Sequence, residues 1–398
     1  MNSHAGLPTA TPPLDTLHII ALMSGTSVDS IDGVLVEIRG QLPNIAVQVR
    51  DFAEQYWPPE LRRRLLLAMA PASVATAEIC ELNILAAREF AALANKLVDR
   101  SGLAPAQIQA IASHGQTICH LPPGPDRPTG STLQIGDIST IAQLTGRPTI
   151  GNFRTADMAM GGQGAPLVPL ADQILLSHKQ LYRCVQNIGG IANVTGLPPT
   201  GEHGSRVCAF DTGPGNMLID ALVELLSNNE KRHDEQGRWA ARGKVELPLL
   251  EELKLHPFFT IAPPKSTGRE DFGRQLAERL VAGNPGMPPE NLLATVTELT
   301  AWSIANAYRC LLPRFPEEVI VCGGGIYNDY LMACLNRHLF PQGESAVKFI
   351  DAFGIPNKAR EAVCFAILGC AWLQGFPGNL PTVTGAAKGV ICGQYAQP

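Results

Sequence analysis

Ser24-Gly25-Thr26-Ser27-Val28-Asp29-Ser30 is a polar turn set between two apolar runs, 18–23 and 31–38. The first run is short and almost wholly apolar, which suits a buried strand. The second alternates apolar and polar positions, which suits a strand with one wetter face. The chain therefore opens strand–turn–strand. A Rossmann or P-loop site opens strand–turn–helix, so neither describes this turn.

The theme returns in mid-chain as strand 182–188, the pair Gly189-Gly190 and strand 191–197. A strand over 207–210 follows, then the loop Asp211-Thr212-Gly213-Pro214-Gly215-Asn216 and a helix over 217–226. A third unit joins strand 319–322 through Gly323-Gly324-Gly325 to helix 328–339. Between these, apolar residues three and four apart predict helix over 59–100, 290–312 and 358–373. A strand over 108–113 delivers the polar cluster Ser113-His114-Gly115-Gln116-Thr117, and a Pro/Gly-rich loop covers 121–130. The run from Gly151 through Asp157 into Gly161-Gly162-Gln163-Gly164 marks the expected domain junction. No repeat of solenoid length occurs.

With 398 residues, of which 45% are hydrophobic, the chain has material for two domains and a sizeable core. Aromatics make up only 6%, and the net charge is −5 without a run of either sign. Stacking platforms for single strands and polyanion binding are thereby disfavoured. The ten cysteines are scattered, with no C-x-x-C pair, and most sit in apolar stretches, as expected of small buried hydrophobes. Residues 1–14 lack the basic start and apolar core of a signal peptide, and no apolar run reaches membrane-spanning length. A cytoplasmic location is expected, with residues 1–15 forming a frayed tail.

The loops suit a nucleotide. Small residues let backbone N–H groups approach a phosphate, and tight turns aim several of them at one anion. The first turn combines Gly25 and hydroxyls with the carboxylates Asp29 and Asp32. The second places Asp211 at a strand end beside a helix start that attracts phosphate, with Asn216 as an alternative N-cap. Gly323, Gly324 and Gly325 would let backbone lie against a purine. Lys265-Ser266-Thr267-Gly268-Arg269 looks like a Walker loop but lacks the G-x-x-x-x-G-K spacing. Two hairpin phosphate loops followed by a glycine loop suggest an actin-like ATPase architecture.

Six motifs then identify a resemblance. They are Met23 to Asp29, Ser113 to Thr117, Phe153-Arg154 through Gly161 to Leu167, Asn187-Ile188-Gly189-Gly190-Ile191-Ala192-Asn193, Asp211 to Asn216, and Pro263-Pro264-Lys265-Ser266-Thr267-Gly268-Arg269-Glu270. In this order they closely resemble the anhydro-N-acetylmuramic acid kinases of bacterial cell-wall recycling, over roughly residues 19–389. The resemblance implies an α/β, two-domain actin-like ATPase (ribonuclease H-like) fold with an interdomain cleft. The expected domains are 16–155, completed by 375–398, and 156–374. It also implies ATP and Mg²⁺ as cofactors, and a reaction in which water opens the 1,6-anhydro ring while O6 receives the γ-phosphate.

By position, the resemblance makes Gly25, Thr26, Ser27, Val28, Asp29, Ser30, Ile31 and Asp32 the ATP-phosphate segment, with Asp29 and Asp32 suited to the metal. Gly213, Gly215, Asn216 and the three glycines from Gly323 would complete the nucleotide contacts. Asp211 is the expected catalytic base. His114, Thr117, Arg154, Asp157 and Glu361 are expected on the sugar side. A small-molecule sugar is the expected partner, with no nucleic acid and no membrane; a homodimer stays open. Another sugar kinase on the same fold, or a non-catalytic actin-like ATPase, remains the alternative reading. The family usually has glycine where this chain has Ser30, and a positive φ there would strain a serine by roughly 1–2 kcal/mol.

Overall fold

The computed structural model describes residues 16–70, 74–124, 127–202, 204–343 and 345–398, so the expected tail lies outside the described residues. The strands are β1 (Thr16–Ser24), β2 (Ser30–Gln41), β3 (Asn44–Tyr56), β4 (Ala110–Leu121), β5 (Ser131–Ile135), β6 (Thr149–Gly151), β7 (Arg183–Ile188), β8 (Ile191–Leu197), β9 (Cys208–Pro214), β10 (Glu318–Cys322), β11 (Val347–Phe349) and β12 (Gln394–Ala396). They form two sheets, one in each of two compact units. The first unit takes the described residues up to Leu175 and returns for Ala359–Pro398; the second is Leu176–Lys358.

In the first unit the strand order is β12-β6-β4-β1-β2-β3, with β5 paired to β4. The apolar run read at 18–23 becomes central β1, whose Ile19, Ile20, Ala21 and Leu22 are all fully buried. Their alternation serves two layers. Ile20 and Leu22 join the cluster containing Leu82, Ala86, Phe90, Leu93 and Leu97 of the helix Thr76–Ser101. Gly33 on β2 makes room for that helix, because a Cβ there would meet Leu93 and Leu97 side-chain carbons at 2.9 Å. On the other face the helix Arg360–Leu373 comes so close that a Cβ on Gly369 would stand 2.8 Å from Ala112 Cβ.

The second unit has the order β11-β10-β7-β8-β9. Its core unites Cys184, Val194, Phe210 and Val319 with Ile304 and Tyr308 of the helix Pro289–Cys310, and Leu331 and Leu335 of the helix Asp329–Leu339. A second cluster gathers Leu218, Leu222, Phe258, Phe259, Phe272, Leu293 and Leu299. Counted from its own first strand, each unit contains the order third-second-first-fourth, continued by the sixth strand, β6, in the first unit and by the fifth, β11, in the second. The second strand is antiparallel to both neighbours, and the fourth is parallel to the first. This is the ribonuclease H-like arrangement, present twice, as the actin-like reading expects.

Several boundaries differ from expectation. The helix read over 59–100 is two, Pro59–Met69 and Thr76–Ser101. The strand read over 108–113 runs to Leu121, so Ser113 to Thr117 lies within β4 instead of beyond its end. The division falls after Leu175 and Lys358 instead of after 155 and 374. The first shift follows from Asp172, on the helix Val168–Leu176. Both its oxygens accept from Arg360 Nη2, at 2.8 and 2.7 Å, a buried pair that ties that helix to the start of Arg360–Leu373.

Candidate active site

The turn after β1 is held by its carbonyls. Ser24 Oγ donates across the turn to the Ser30 carbonyl (2.9 Å) and accepts from Trp57 Nε1 (3.1 Å). Arg62 Nε donates to the Val28 carbonyl (2.7 Å), and Gln116 Nε2 to the Gly25 carbonyl (3.2 Å). Occupying these oxygens removes acceptors that would repel an anion. Thr26 and Ser27 stand exposed at the tip. Space is open beside Gly25, where the nearest heavy atom to a Cβ would be Ser27 Oγ at 4.0 Å. Ile31 is fully buried and anchors the start of β2, while Asp32 faces Met23 across the hairpin. Asp29 is exposed and pairs with Arg62 Nη2 at 2.8 Å.

The strain expected at Ser30 lies elsewhere. Ser30 is paired with Tyr56 in the β2–β3 ladder, and its Oγ donates to Glu54 Oε1 at 3.0 Å. The left-handed residue is Val28, at φ 53°. A β-branched residue rarely adopts that conformation; here its side chain is fully buried in the core with Leu22, Ile31 and Trp57.

In the second unit, β9 continues to Pro214, so Asp211 stands in the strand, opposite Asn193 of β8. Its N–H donates to the Lys265 carbonyl (3.2 Å), and its Oδ2 accepts from the Thr267 N–H (3.0 Å). Burial pushes its carboxyl up to about 6, against the Thr267 N–H and the Lys265 charge, which favour the ionised form. The helix Asn216–Leu226 is capped by Gly215 instead of Asn216. Its opening N–H groups are already used: Gly215 and Met217 donate to the Gly190 carbonyl (2.9 and 3.0 Å), and Asn216 to that of Gly189 (2.8 Å). The phosphate-cradling N–H groups expected there are thus engaged by the β7–β8 turn. Gly213 is a packing position, since a Cβ would meet Ser303 Oγ at 2.9 Å.

The triple glycine follows β10. Gly323, at φ 89°, is pressed onto the end of β7, where a Cβ would meet Asn187 Oδ1 at 2.5 Å; Gly325 packs on Ile188 in the same way. Gly323 also exchanges hydrogen bonds with Asn357, its N–H donating at 2.7 Å and its carbonyl accepting at 3.1 Å. Gly324 is exposed and lies beside the Asn216 side chain, whose Nδ2 would be 3.4 Å from a Cβ there.

The residues expected on the sugar side divide. Arg154 donates through Nε and Nη2 to His114 Nε2 (3.2 and 2.8 Å), and through Nη1 to the Gly164 carbonyl (2.9 Å). Arginine only donates and the Gly115 carbonyl at His114 Nδ1 (2.9 Å) only accepts, so His114 is neutral with its proton on Nδ1. Burial, then the Arg154 charge, hold it well below its ordinary value. Burial brings Arg154 down to about 10, while Glu361 supports its charge. Thr117 Oγ1 accepts from Gln134 Nε2 at 3.3 Å. Asp157 stands apart. It is 0% exposed, its Oδ1 accepts from Asn379 Nδ2 and Thr384 Oγ1 (both 2.6 Å), and its Oδ2 accepts from the Gly164 N–H (2.8 Å). Its carboxylate holds the 154–164 segment in place.

The model of the family described as anhydro-N-acetylmuramic acid kinase matches residues 17–397 of this chain. The chain belongs to that family. It is 43% identical over 394 residues to the anhydro-N-acetylmuramic acid kinase of Gloeothece citriformis (strain PCC 7424), covering 96% of this chain and 99% of that protein. It is 46% identical over 382 residues to that of Gloeobacter violaceus (strain ATCC 29082 / PCC 7421), covering 96% and 98%. Among solved structures it is similar to the activator of the 2-hydroxyisocaproyl-CoA dehydratase from Clostridium difficile with bound ADPNP. That likeness is 12% identity at a TM-score of 0.43, covering 90% of this chain and 96% of that one.

For a member of the anhydro-N-acetylmuramic acid kinase family, the donor set accords with a nucleotide-borne metal. Among the described residues no group of three or more His, Cys, Asp and Glu could hold a metal by itself. Mg²⁺ is commonly held by one or two carboxylates together with phosphate oxygens and water, and Asp29 and Asp32 are the carboxylates that the first turn could offer it. No described helix is long and apolar enough to cross a membrane. Sequence reasoning missed Arg62, whose guanidinium spans the Val28 carbonyl and Asp29, and His120, whose ionised form is disfavoured by burial and then by the Arg154 charge. Both sit in runs with no signal of their own: Arg62 is one of three consecutive arginines.

Proposed function

We propose that this protein uses ATP to convert 1,6-anhydro-N-acetylmuramic acid to N-acetylmuramate 6-phosphate, a step in peptidoglycan recycling. The family assignment supports the activity, and the setting of Asp211 carries the mechanism. Thr267 fixes one carboxylate oxygen, while Oδ1 has no partner among the described hydrogen bonds. With its carboxyl near 6, this group is ionised at neutral pH yet basic enough to take a proton.

In this reading Asp211 accepts a proton from water as the water oxygen bonds to the anomeric carbon. The bond from that carbon to O6 breaks, O6 bonds to the γ-phosphorus, and the phosphorus–oxygen bond to ADP breaks. The turn from Gly25 to Asp32 would receive the phosphates, and Asp29 and Asp32 would hold Mg²⁺, which would offset phosphate charge. Arg62 would then share Asp29 with the metal. Arg154, kept in place by neutral His114 and the Gly164 carbonyl, offers a fixed cation for the sugar's carboxylate or acyl oxygens. Glu361 offsets that charge, and Thr117 supplies a hydroxyl.

The test is turnover in ¹⁸O-labelled water with ATP, Mg²⁺ and the anhydro sugar, with prompt mass spectrometry of the product. One label at the anomeric oxygen and none in the phosphate is expected. An unlabelled sugar phosphate, or no turnover of this sugar beside turnover of common hexoses, would refute the reading.

A further inference from the structure

The loop Lys265-Ser266-Thr267, set aside above as a Walker-like motif, has a different relation to the site. Lys265 is 9% exposed. Its Nζ donates to the Phe258 carbonyl (3.1 Å) and lies 4.1 Å from the centroid of the Phe258 ring. Among the described ion pairs it has none with a carboxylate within 4.0 Å. Burying an ammonium this way is unfavourable, and a methionine would pack against Phe258 as well. What the ammonium adds is charge, next to the strand that carries Asp211. The same loop touches Asp211 twice through its backbone, accepting its N–H at the Lys265 carbonyl and donating the Thr267 N–H to Oδ2.

We propose that Lys265 is a positioning residue for the reaction: an ammonium held off by Phe258, so that it does not pair with Asp211, yet close enough to keep that carboxylate ionised. The inference rests on Asp211 being the base. Held against Phe258, the ammonium leaves Oδ1 free of a hydrogen bond that would lower its basicity. Mutual attraction runs both ways, since Asp211 supports the charge on Lys265 and Lys265 that on Asp211. The other titratable groups around the site do not compete. Asp271 accepts from Thr267 Oγ1 at 2.6 Å. His256 accepts the Phe258 N–H and packs on Phe259 and Phe272. Asp220, on the following helix, faces Glu224 and Asp234.

The experiment is the pH profile of kcat/KM from pH 5 to 9 for the full chain and for Lys265→Met, Lys265→Gln and Lys265→Arg, with folding checked by circular dichroism. Gln keeps a donor for the Phe258 carbonyl without the charge, and Arg keeps the charge. Removing a nearby cation raises a carboxyl's pKa. The acidic limb of the Met and Gln variants is therefore expected to move up by on the order of 1 pH unit. Their loss of rate should be about fivefold greater at pH 6 than at pH 8.5, while the Arg variant holds the limb in place. A limb that stays put in a folded Met or Gln variant overturns the proposal, as does failure of both to fold, which would make the charge a servant of the fold. Asp211→Asn separates the two readings. If it keeps more than a few per cent of kcat, Asp211 is not the base; if it is inactive and the limb is unmoved, only the role of Lys265 falls.

Discussion

Asp211 keeps its proton to about pH 6 in the folded chain, whereas an unfolded aspartate releases it near pH 4, about the model-peptide value. The folded state thus binds more protons than the unfolded one between those values, and stability falls as pH rises across that window. Asp211→Asn retains an acceptor for the Thr267 N–H without the charge. It should therefore be more stable than the parent at pH 7, by on the order of 2 kcal/mol after allowance for partial exposure. The two should converge near pH 4, and urea denaturation at both pH values measures the difference. Equal stability at pH 7 would mean that the carboxylate is not desolvated. At this scale the sequence announces chemistry better than geometry. Asp211 and the serine/threonine/aspartate turn are legible because their residue types suit few other tasks in that order. The left-handed Val28 is not, because valine is among the last residues one would place at positive φ, and the neighbouring Ser30 draws attention instead.

Elements were legible where burial is symmetric and obscure where it is not. β1 and β10 carry apolar runs of strand length, and β7 and β8 are marked by the Gly189-Gly190 turn between them. β3 reads as polar because it closes an edge of its sheet, and most of its side chains are only half-buried or exposed. β12 is three residues long, recognisable only through its pairing with β6. The helix Arg360–Leu373 is legible as a helix, but its membership of the first unit is not, because membership depends on contacts with strands far away in sequence, β1, β2 and β4. Gly369 shows how tight those contacts are. Gly369→Ala would gain about 1 kcal/mol of helix propensity. It would lose about 1–3 kcal/mol by overpacking, since the Ala112 Cβ it meets at 2.8 Å cannot rotate away. The variant should be destabilised by about 1 kcal/mol, seen as a lower urea midpoint at unchanged slope. A rise in the midpoint would show that the sheet and helix can part at little cost.

At the scale of the whole molecule, the first unit is assembled from two distant stretches of chain and the second from one. The Asp172–Arg360 pair, the Asp157–Asn379–Thr384 network and the β6–β12 pairing all join residues before 176 to residues after 358. The second unit has its own sheet and its own cores. A fragment of residues 176–358 should accordingly unfold cooperatively in urea. A fragment ending at Lys358 should keep that transition but lose the one belonging to the first unit, as followed by Trp57 fluorescence. A first unit that stays folded without residues 359–398 would show that the helix Arg360–Leu373 is an addition to its sheet and not a layer of it.

This interleaving also fixes an order of events on the ribosome. Domains generally fold as units while the chain emerges, and here the first stretch to emerge cannot finish. The strands around the nucleotide turn appear early but lack one covering layer until the segment from Ala359 has been made. The inserted unit is meanwhile complete and can fold ahead of them. At about 5–20 residues per second, synthesis of the inserted unit alone leaves the early sheet half-covered for roughly ten seconds or more. During that interval the apolar face that Arg360–Leu373 will cover is the nascent chain's most exposed liability, and the natural place for a chaperone to hold it.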